Sequence, residues 1–468
     1  MAYQHSFPRV MLAGTASGAG KTTVSMGVMA VLTKLGAKVA GFKCGPDYID
    51  PMFHSKIIGM PSRNLDLFLM DEPTVKSLFC KNARGCDIAV LEGVMGYYDG
   101  VAANSTAASS YHLARCTQTP VILVVNPEGM SLSVAAMVMG YRNYYKDSGI
   151  QGVLLNQCSE TQYKSLKPVL EKEQGISVIG YLPPLEDCSL KSRHLGLVTA
   201  DEVEHFQQKL SRLVWVMEQT VNFDRLMEIA ESAPALDAAE IMTEKITKSK
   251  PKIAVAMDCA FCFYYQDNLD LLTDLGAELV RFSPVFDACL PKGCSGLYLG
   301  GGYPELYAAA LSNNRTMLQS IQNAIAGGTP TIAECGGFMY LQSAMEDNTG
   351  EMRPMVCALS GESVKTGQLQ RFGYVYLTAN RDNLLCKAGE RIPAHEFHYW
   401  DSTNCGDAFT AERPVSGTQW PCVVANDNLF AGYPHIHFYG NQKFARNFVK
   451  AVEQFERKCH NDDDNTGN

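Results

Sequence analysis

The sequence predicts an α/β protein of two domains, each built on a largely parallel sheet with helices on its faces. Three observations carry that expectation. Short apolar runs alternate with amphipathic helical stretches, and the runs are continuous in Val, Ile and Leu, as in strands covered on both faces. The pattern lapses near 225–250, in a polar and charged stretch, and a fresh set of strands begins after it. At 468 residues the chain is also too long for one ordinary core. The expected division is 1–245, then 246–450, then the end of a helix and a disordered acidic tail over 451–468.

In the first half the strands expected are 9–14, 38–43, 87–93, 120–126, 152–157 and 178–183. The first helix starts at Lys21, places Val24, Val28, Val31, Leu32 and Leu35 on one stripe, and stops at Gly36. The second half supplies strands at 252–258, 278–284, 296–302, 330–335, 372–379 and 431–438, the later ones forming an antiparallel part.

Composition excludes several classes of function. A net charge of −9, with no Lys/Arg block, leaves no stripe to neutralise a nucleic-acid backbone. No apolar run approaches the ~20 residues of a membrane span, and the N-terminus lacks a signal pattern, so a cytoplasmic protein is expected. The 16 cysteines are scattered rather than framed, which suits a reducing compartment. Cys259 and Cys262 form a single C-x-x-C with no second pair or histidine nearby, and are read as packing residues.

"GTASGAGKTT", from Gly14 to Thr23, joins a strand to a helix and reads as a phosphate-binding loop. Its first glycine stands one residue further from Gly20 than usual, with Gly18 inserted. Backbone N–H groups of such a turn point inward, Lys21 reaches the β/γ-phosphates of ATP, and Thr22 can ligate Mg²⁺. Thr15 and Thr23 belong to the same loop. Mg²⁺ also wants carboxylates. Glu92 ends a buried apolar strand where an unpaired charge would be costly, and is read as a metal ligand. Lys43, Asp47, Tyr48 and Asp50 follow the second strand, and Asp99 follows "LEGVMGYY". Ligands gather at the carboxyl ends of parallel strands, so these segments should converge. Asp47 is assigned to the metal with Thr22 and Glu92, Lys43 to ATP, and Tyr48, Asp50 and Asp99 to an acceptor substrate.

"GTASGAGKTT", "GFKCGPDYIDP" and "LEGVMGYYDG" together resemble the ATP-binding amidoligase domain of cobyrinic acid a,c-diamide synthases, related to dethiobiotin synthetase. The longer glycine spacing is expected within that group. The resemblance implies that ATP phosphorylates a carboxylate and that ammonia displaces the phosphate. It implies further that Asn156 and Pro183 lie where the related fold reads adenine, and that Arg193 and His194 of "SRHLGL" contact a substrate carboxylate.

An amidoligase needs ammonia, and a glutaminase domain makes it. Such a domain needs an activated thiolate, an imidazole and backbone donors for an oxyanion. Cys335 in "PTIAECGGFMYL" stands at a strand end, ahead of Gly336, Gly337 and a helix, as a nucleophile on a sharp turn would. "YLGGGYPE" offers oxyanion and glutamine-binding backbone at Gly301 and Gly302, with Gly336 beside the thiol. The imidazole comes from "AGYPHIHF", where His435 and His437 should alternate onto one face of a strand. Class I glutamine amidotransferases, which this domain resembles, carry a His-x-Glu pair there. His435 then takes the histidine place, His437 replaces the glutamate, and either could be the base. His395, Glu396 and His398 of "HEFHYW" are read as a domain-interface group rather than a metal or acid/base cluster.

The resemblance covers nearly the whole chain and implies ATP- and glutamine-dependent amidation of the a- and c-acetates of a corrinoid. The partners are then small molecules, namely ATP, L-glutamine and a tetrapyrrole carboxylate, with no nucleic acid and no membrane, and a homodimer as the candidate assembly. The same chemistry on nickel-sirohydrochlorin or hydrogenobyrinic acid is the nearest alternative. A P-loop regulatory ATPase with a degenerate second domain is a more distant one.

Overall fold

The computed structural model of the chain describes residues 2–185 and 200–466. It divides into two compact units, Met1–Ile241 and Met242–Asn468, and both are α/β. Among the described residues no helix is long and apolar enough to cross a membrane.

The N-terminal unit runs β1 (Ala2–His5), β2 (Arg9–Gly14), α1 (Lys21–Lys34), β3 (Val39–Cys44), α2 (Ile49–Ile58) and β4 (Arg63–Leu65). It continues through α3 (Glu72–Ala83), β5 (Ile88–Gly96), α4 (Ser110–Cys116), β6 (Val121–Val125) and α5 (Ser133–Tyr144). The remaining elements are β7 (Ile150–Leu155), α6 (Glu160–Gln174), β8 (Ser177–Tyr181), α7 (Ala200–Thr220), α8 (Phe223–Glu231) and β9 (Leu236–Ala239). Seven parallel strands form one sheet in the order β4-β3-β5-β2-β6-β7-β8. Every residue of β2, β3 and β6 is buried, which is why these strands read as continuous apolar runs. β1 and β9 pair separately as an antiparallel ribbon.

Register places the charged positions. Glu92 of β5 stands beside Lys43 of β3 on one side and Leu12 of β2 on the other, near the carboxyl end of the central strands. Helix α1 packs Val24, Val28, Val31 and Leu32 into the core, against Leu213 and Met217 of α7. Leu35, expected on that stripe, is 67% exposed, because the helix ends at Lys34 and Leu35 has already turned out as its cap.

The C-terminal unit begins β10 (Lys252–Ala256), β11 (Phe261–Phe263), α9 (Gln266–Asp274), β12 (Glu278–Phe282), β13 (Cys294–Leu299) and β14 (Gly301–Gly302). Next come α10 (Ala308–Asn313), α11 (Arg315–Ala326), β15 (Thr331–Glu334), α12 (Gly336–Leu341), β16 (Ala344–Glu346), β17 (Met352–Pro354) and β18 (Glu362–Lys365). The last part holds β19 (Arg371–Ala379), β20 (Arg391–His398), β21 (Trp400–Ser402), β22 (Phe409–Glu412) and β23 (Gln419–Cys422). It closes with β24 (Val424–Ala425), β25 (Leu429–Gly432), β26 (His435–Ile436) and α13 (Gln442–Thr466).

The main sheet has the order β12-β10-β13-β15-β25-β24 and is parallel except at β24. The antiparallel part is a five-stranded sheet, β23-β22-β19-β20-β26, with a smaller four-stranded one beside it in sequence. Helix α13 runs to Thr466, so the helix end expected within 451–468 extends into the acidic stretch. Acidic composition alone does not end a helix, and no Gly or Pro interrupts the segment from Gln442 to Thr466. The expected single strand 431–438 is two short ones, β25 and β26, broken around Pro434, whose missing N–H cannot join a ladder.

Helix α1 carries the phosphate loop's lysine, and it approaches α7 through Gly27, where an added Cβ would lie 2.1 Å from Met217 Sδ and 3.1 Å from Leu213 Cγ. Gly27→Val is therefore expected to destabilise the unit by about 1–3 kcal/mol. Chemical denaturation followed by circular dichroism would check this, and an unchanged midpoint would contradict the packing described.

Candidate functional site

In the N-terminal unit the loop between β2 and α1 has Gly18 and Gly20 at φ +81° and +91°, the left-handed region that favours glycine. A Cβ on Gly20 would lie 1.9 Å from Asn156 Nδ2. That amide donates to Ala19 O at 3.0 Å, so Asn156 braces the loop from the end of β7. Lys21 Nζ donates to Ala16 O (3.0 Å) and Met95 O (2.6 Å). Burial, and then the charge of Lys43, lower its pKa to about 8.

Behind the loop lies a buried charge network. Thr22 Oγ1 donates to Glu92 Oε1 at 2.7 Å and approaches Asp50 Oδ2 at 3.3 Å. Lys43 Nζ bridges the same two carboxylates, at 2.8 Å from Glu92 and 2.5 Å from Asp50. His54 Nε2 meets Glu92 Oε2 at 2.8 Å, and its Nδ1 lies 3.3 Å from Ser62 Oγ. Burial opposes ionisation of Glu92, yet Lys43 and His54 hold its carboxyl well below the usual range. Burial and the charge of Glu92 push Asp50 up to about 8. One ammonium thus faces two carboxylates, and the hard oxygens of Thr22, Asp50 and Glu92 converge, a donor set that suits Mg²⁺. Among the described residues no cluster of three or more His, Cys, Asp or Glu forms a metal cage, so such an ion would need phosphate and water oxygens as well.

Asp47, expected as the metal carboxylate, is not the residue beside Thr22. Its Oδ1 accepts from the N–H groups of Ile49 (2.7 Å) and Asp50 (3.2 Å), so it shapes the start of α2, and Asp50 takes the place next to Glu92. Tyr48 precedes the helix as its cap. Asp99 accepts from Gly96 N at 2.8 Å, next to the carboxyl end of β5. Thr15 O receives the Tyr141 hydroxyl, Thr23 lies in the first turn of α1, and Pro183 is half-buried beyond β8. Arg193 and His194 lie outside the described residues. Sequence reasoning missed His54, although its spacing of four from Asp50 puts both on one face of a helix.

In the C-terminal unit Cys335 links β15 to α12 at φ +49°, ψ −105°, a strained conformation for a residue with a side chain. Its N–H donates to Gly432 O of β25 at 2.8 Å. A Cβ on Gly337 would lie 2.2 Å from Leu299 O, and one on Gly336 would lie 2.8 Å from Pro304 Cδ and 3.2 Å from Gly302 N. The two glycines therefore let the turn press against β13 and β14. Burial, and then the carboxylates of Glu305, Glu334 and Glu396, push the thiol up to about 12, against a lowering contact from the Gly336 backbone.

Glu334, just before the cysteine, is buried and fastens the neighbouring strands. Its Oε1 accepts from Ile436 N and its Oε2 from Tyr298 Oη, each at 2.9 Å. His435 is thereby set on β26, opposite His395 of β20. Its ring lies against β14, since a Cβ on Gly301 would be 2.5 Å from His435 Cε1 and 3.3 Å from Nε2. Burial, then His395 and His398, lower its pKa to about 3.

His437 does not share a strand face with His435, because β26 ends at Ile436 and His437 caps the turn Phe438–Gly440. Asn268 causes this by donating to Ile436 O (2.8 Å) and accepting from Phe438 N (2.7 Å), which bends the chain between them. The His437 ring packs 4.8 Å from Tyr265, and neither of its nitrogens has a hydrogen-bond partner among the described residues. Glu396 and His398 are buried, with neighbours Tyr433, Trp400, Arg371 and Arg413 of the same unit. Cys259 and Cys262 are half-buried, and among the described residues neither is in a disulfide.

Residues 10–198 match the family model described as the CobQ/CobB/MinD/ParA nucleotide binding domain, and residues 252–443 match the CobB/CobQ-like glutamine amidotransferase domain. A cobyrinate a,c-diamide synthase of Caldanaerobacter subterraneus subsp. tengcongensis is 43% identical over 451 residues, covering 96% of this chain and 99% of that one. One of Dehalococcoides mccartyi (strain CBDB1) is 40% identical, with coverage of 96% and 99%. One of Salmonella typhimurium is also 40% identical, with coverage of 97% and 99%.

The contact between Gly301 and His435 gives a specific expectation. Gly301→Ala should displace the imidazole and lower glutamine hydrolysis on the order of 100-fold. The melting temperature, measured alongside glutamate release, should fall only slightly. Full retention of hydrolysis would mean that the His435 ring is not needed where it lies.

Proposed function

We propose the following reaction for this chain, which belongs to the cobyrinate a,c-diamide synthase family and is thereby a glutamine-dependent carbon–nitrogen ligase. In the C-terminal unit the Cys335 sulfur attacks the side-chain carbonyl carbon of L-glutamine while His435 takes the thiol proton. The oxyanion that forms is held by backbone N–H groups of the Gly301–Gly302 strand and Gly336. His435 returns the proton to the leaving nitrogen, NH₃ departs, and water hydrolyses the glutamyl thioester to glutamate. The observation that carries this reading is the Cys335 turn: a strained cysteine pressed by two glycines against the same strand that His435 touches.

In the N-terminal unit a substrate carboxylate oxygen attacks the γ-phosphorus of ATP, releasing ADP and leaving an acyl phosphate. NH₃ then attacks the acyl carbon and expels inorganic phosphate, giving the amide. Lys21 and the loop N–H groups hold the phosphates, which carry most of the charge that develops. Thr22, Asp50 and Glu92 fit Mg²⁺, which would neutralise phosphate charge when bound. Lys43 keeps Glu92 ionised, and His54 fixes that carboxylate from the other side. The acceptor is proposed to be the a- and c-acetates of a cobyrinic acid corrinoid, as the names of the relatives support.

Two experiments test these assignments. Cys335→Ala should abolish amidation driven by glutamine and leave amidation driven by ammonium largely intact, whereas Lys21→Ala should stop both. Product mass gain on cobyrinic acid is the measurement, and loss of ammonium-driven product in Cys335→Ala would sink the two-site scheme. His435→Ala should lower glutamine hydrolysis about 10²–10⁴-fold, as expected for a lost general base, while His437→Ala stays within tenfold. The reverse ranking would assign the base to His437.

A further inference from the structure

The C-terminal unit contains one acidic side chain that the proposed reaction does not use and that its own fold does not satisfy. Glu396 of β20 is fully buried, and neither of its oxygens accepts a hydrogen bond from any described residue. An unpaired carboxylate away from water is costly, and folds rarely keep one without a partner that arrives later. Two arginines lie near enough to act on it, but Arg371 and Arg413 are drawn over the Trp420 ring, at 4.9 Å and 5.3 Å from its centroid. Neither forms an ion pair with Glu396.

Its place in the sheet points toward the nucleophile. Glu396 stands one residue beyond the His395–His435 pair, and its neighbour on β19 is Gly373, which has no side chain to cover it. It alternates with His395, so it lies on the face of β20 that also carries His398. His398 stacks on Tyr433 with ring centroids 3.9 Å apart. Tyr433 directly follows Gly432, whose carbonyl accepts the Cys335 N–H. The thiol of Cys335 in turn feels the Glu396 charge. Glu396 does not serve as an orienter of His435, since no hydrogen bond reaches either oxygen and it faces away from His395, the residue opposite His435.

We infer that Glu396 holds the α-ammonium of the L-glutamine whose side-chain amide lies at Cys335. The inference rests on the glutaminase reading above and names how that site selects its amide. With the scissile carbonyl at the thiol, the α-ammonium is the only cation glutamine brings, a few bonds along the same chain. It supplies the N–H donors that Glu396 lacks, in a setting where charge-assisted hydrogen bonds are strong. Burial lifts the pKa of the free carboxyl to about 7, and an ammonium beside it favours the ionised form. Simple primary amides without an α-ammonium should then be poor substrates.

The test compares L-glutamine with 4-carbamoylbutyrate, which is glutamine without its α-amino group, on the full chain and its variants. Wild-type protein should prefer glutamine strongly. Glu396→Gln should raise KM for glutamine about 10–100-fold, leave 4-carbamoylbutyrate hydrolysis unchanged, and leave ammonium-driven amidation unchanged. Alkylation of Cys335 by iodoacetamide, which carries no α-amino group, should proceed at the wild-type rate. The substitution removes an unpaired buried charge at equal size, so the melting temperature should not fall. Glu396→Asp, still charged, should keep the preference for glutamine. Equal losses on both amides, or slowed alkylation, would assign Glu396 to the thiol chemistry and overturn the inference, as would an unaltered KM for glutamine. A wild-type chain that hydrolyses neither amide would instead bring down the glutaminase reading itself.

Discussion

The carboxylate of Glu334 is the fixed point of the C-terminal unit. It ends β15, immediately before the cysteine, and accepts hydrogen bonds from Tyr298 on β13 and Ile436 on β26. Three strands are thereby set by one side chain. The strand that ends in Cys335 is locked to the strand that supplies His435, although 100 residues separate the two in sequence. The adjacent hydrogen bond from Cys335 N to Gly432 O repeats the link on the backbone. Because Glu334 is buried and meets no cation, burial raises its pKa to about 7, against the lowering effect of those two donors. An apolar residue there would leave both donors unsatisfied in the interior, so the geometry of the site and the satisfaction of the core are one requirement.

The N-terminal unit meets the same problem in the opposite way. Glu92 also sits, fully buried, on a central strand, but a lysine and a histidine approach it directly. It is therefore held ionised, whereas Glu334 and Glu396 are pushed toward the neutral form. A permanent negative charge suits the divalent cation proposed there.

Much of this was legible in the sequence because it depends on local pattern. Continuous apolar runs marked the parallel strands, and the glycine-rich loop and the glycines after Cys335 marked two turns whose backbones approach other strands closely. The pairing of Lys43 with Glu92 is a matter of register between adjacent strands, and both residues were singled out without it. What stayed hidden depends on partners far apart in the chain. Glu334 looks like any polar residue ending a strand until Tyr298 and Ile436 are seen around it. The split between His435 and His437 needs Asn268, more than 160 residues away, to bend the chain. That Asp47 shapes the start of α2 while Asp50 stands next to Glu92 was hidden too, because two carboxylates in one short acidic segment look alike.

The roles proposed for Cys335 and His435 also constrain how the proton moves. Burial raises the thiol to about 12 and lowers the imidazole to about 3, so both favour the neutral pair and oppose a resting thiolate–imidazolium. In the proposed reaction the proton therefore leaves sulfur as sulfur attacks carbon. Negative charge passes to the carbonyl oxygen at that moment, and the backbone N–H groups of Gly301, Gly302 and Gly336 are the donors proposed for it. Positive charge arises on His435, whose ring lies against the same glycine strand. The two charges form together and close to each other, which is the arrangement a low-dielectric pocket stabilises best. Under that proposal reactivity depends on the presence of the amide, since burial opposes a free thiolate at Cys335.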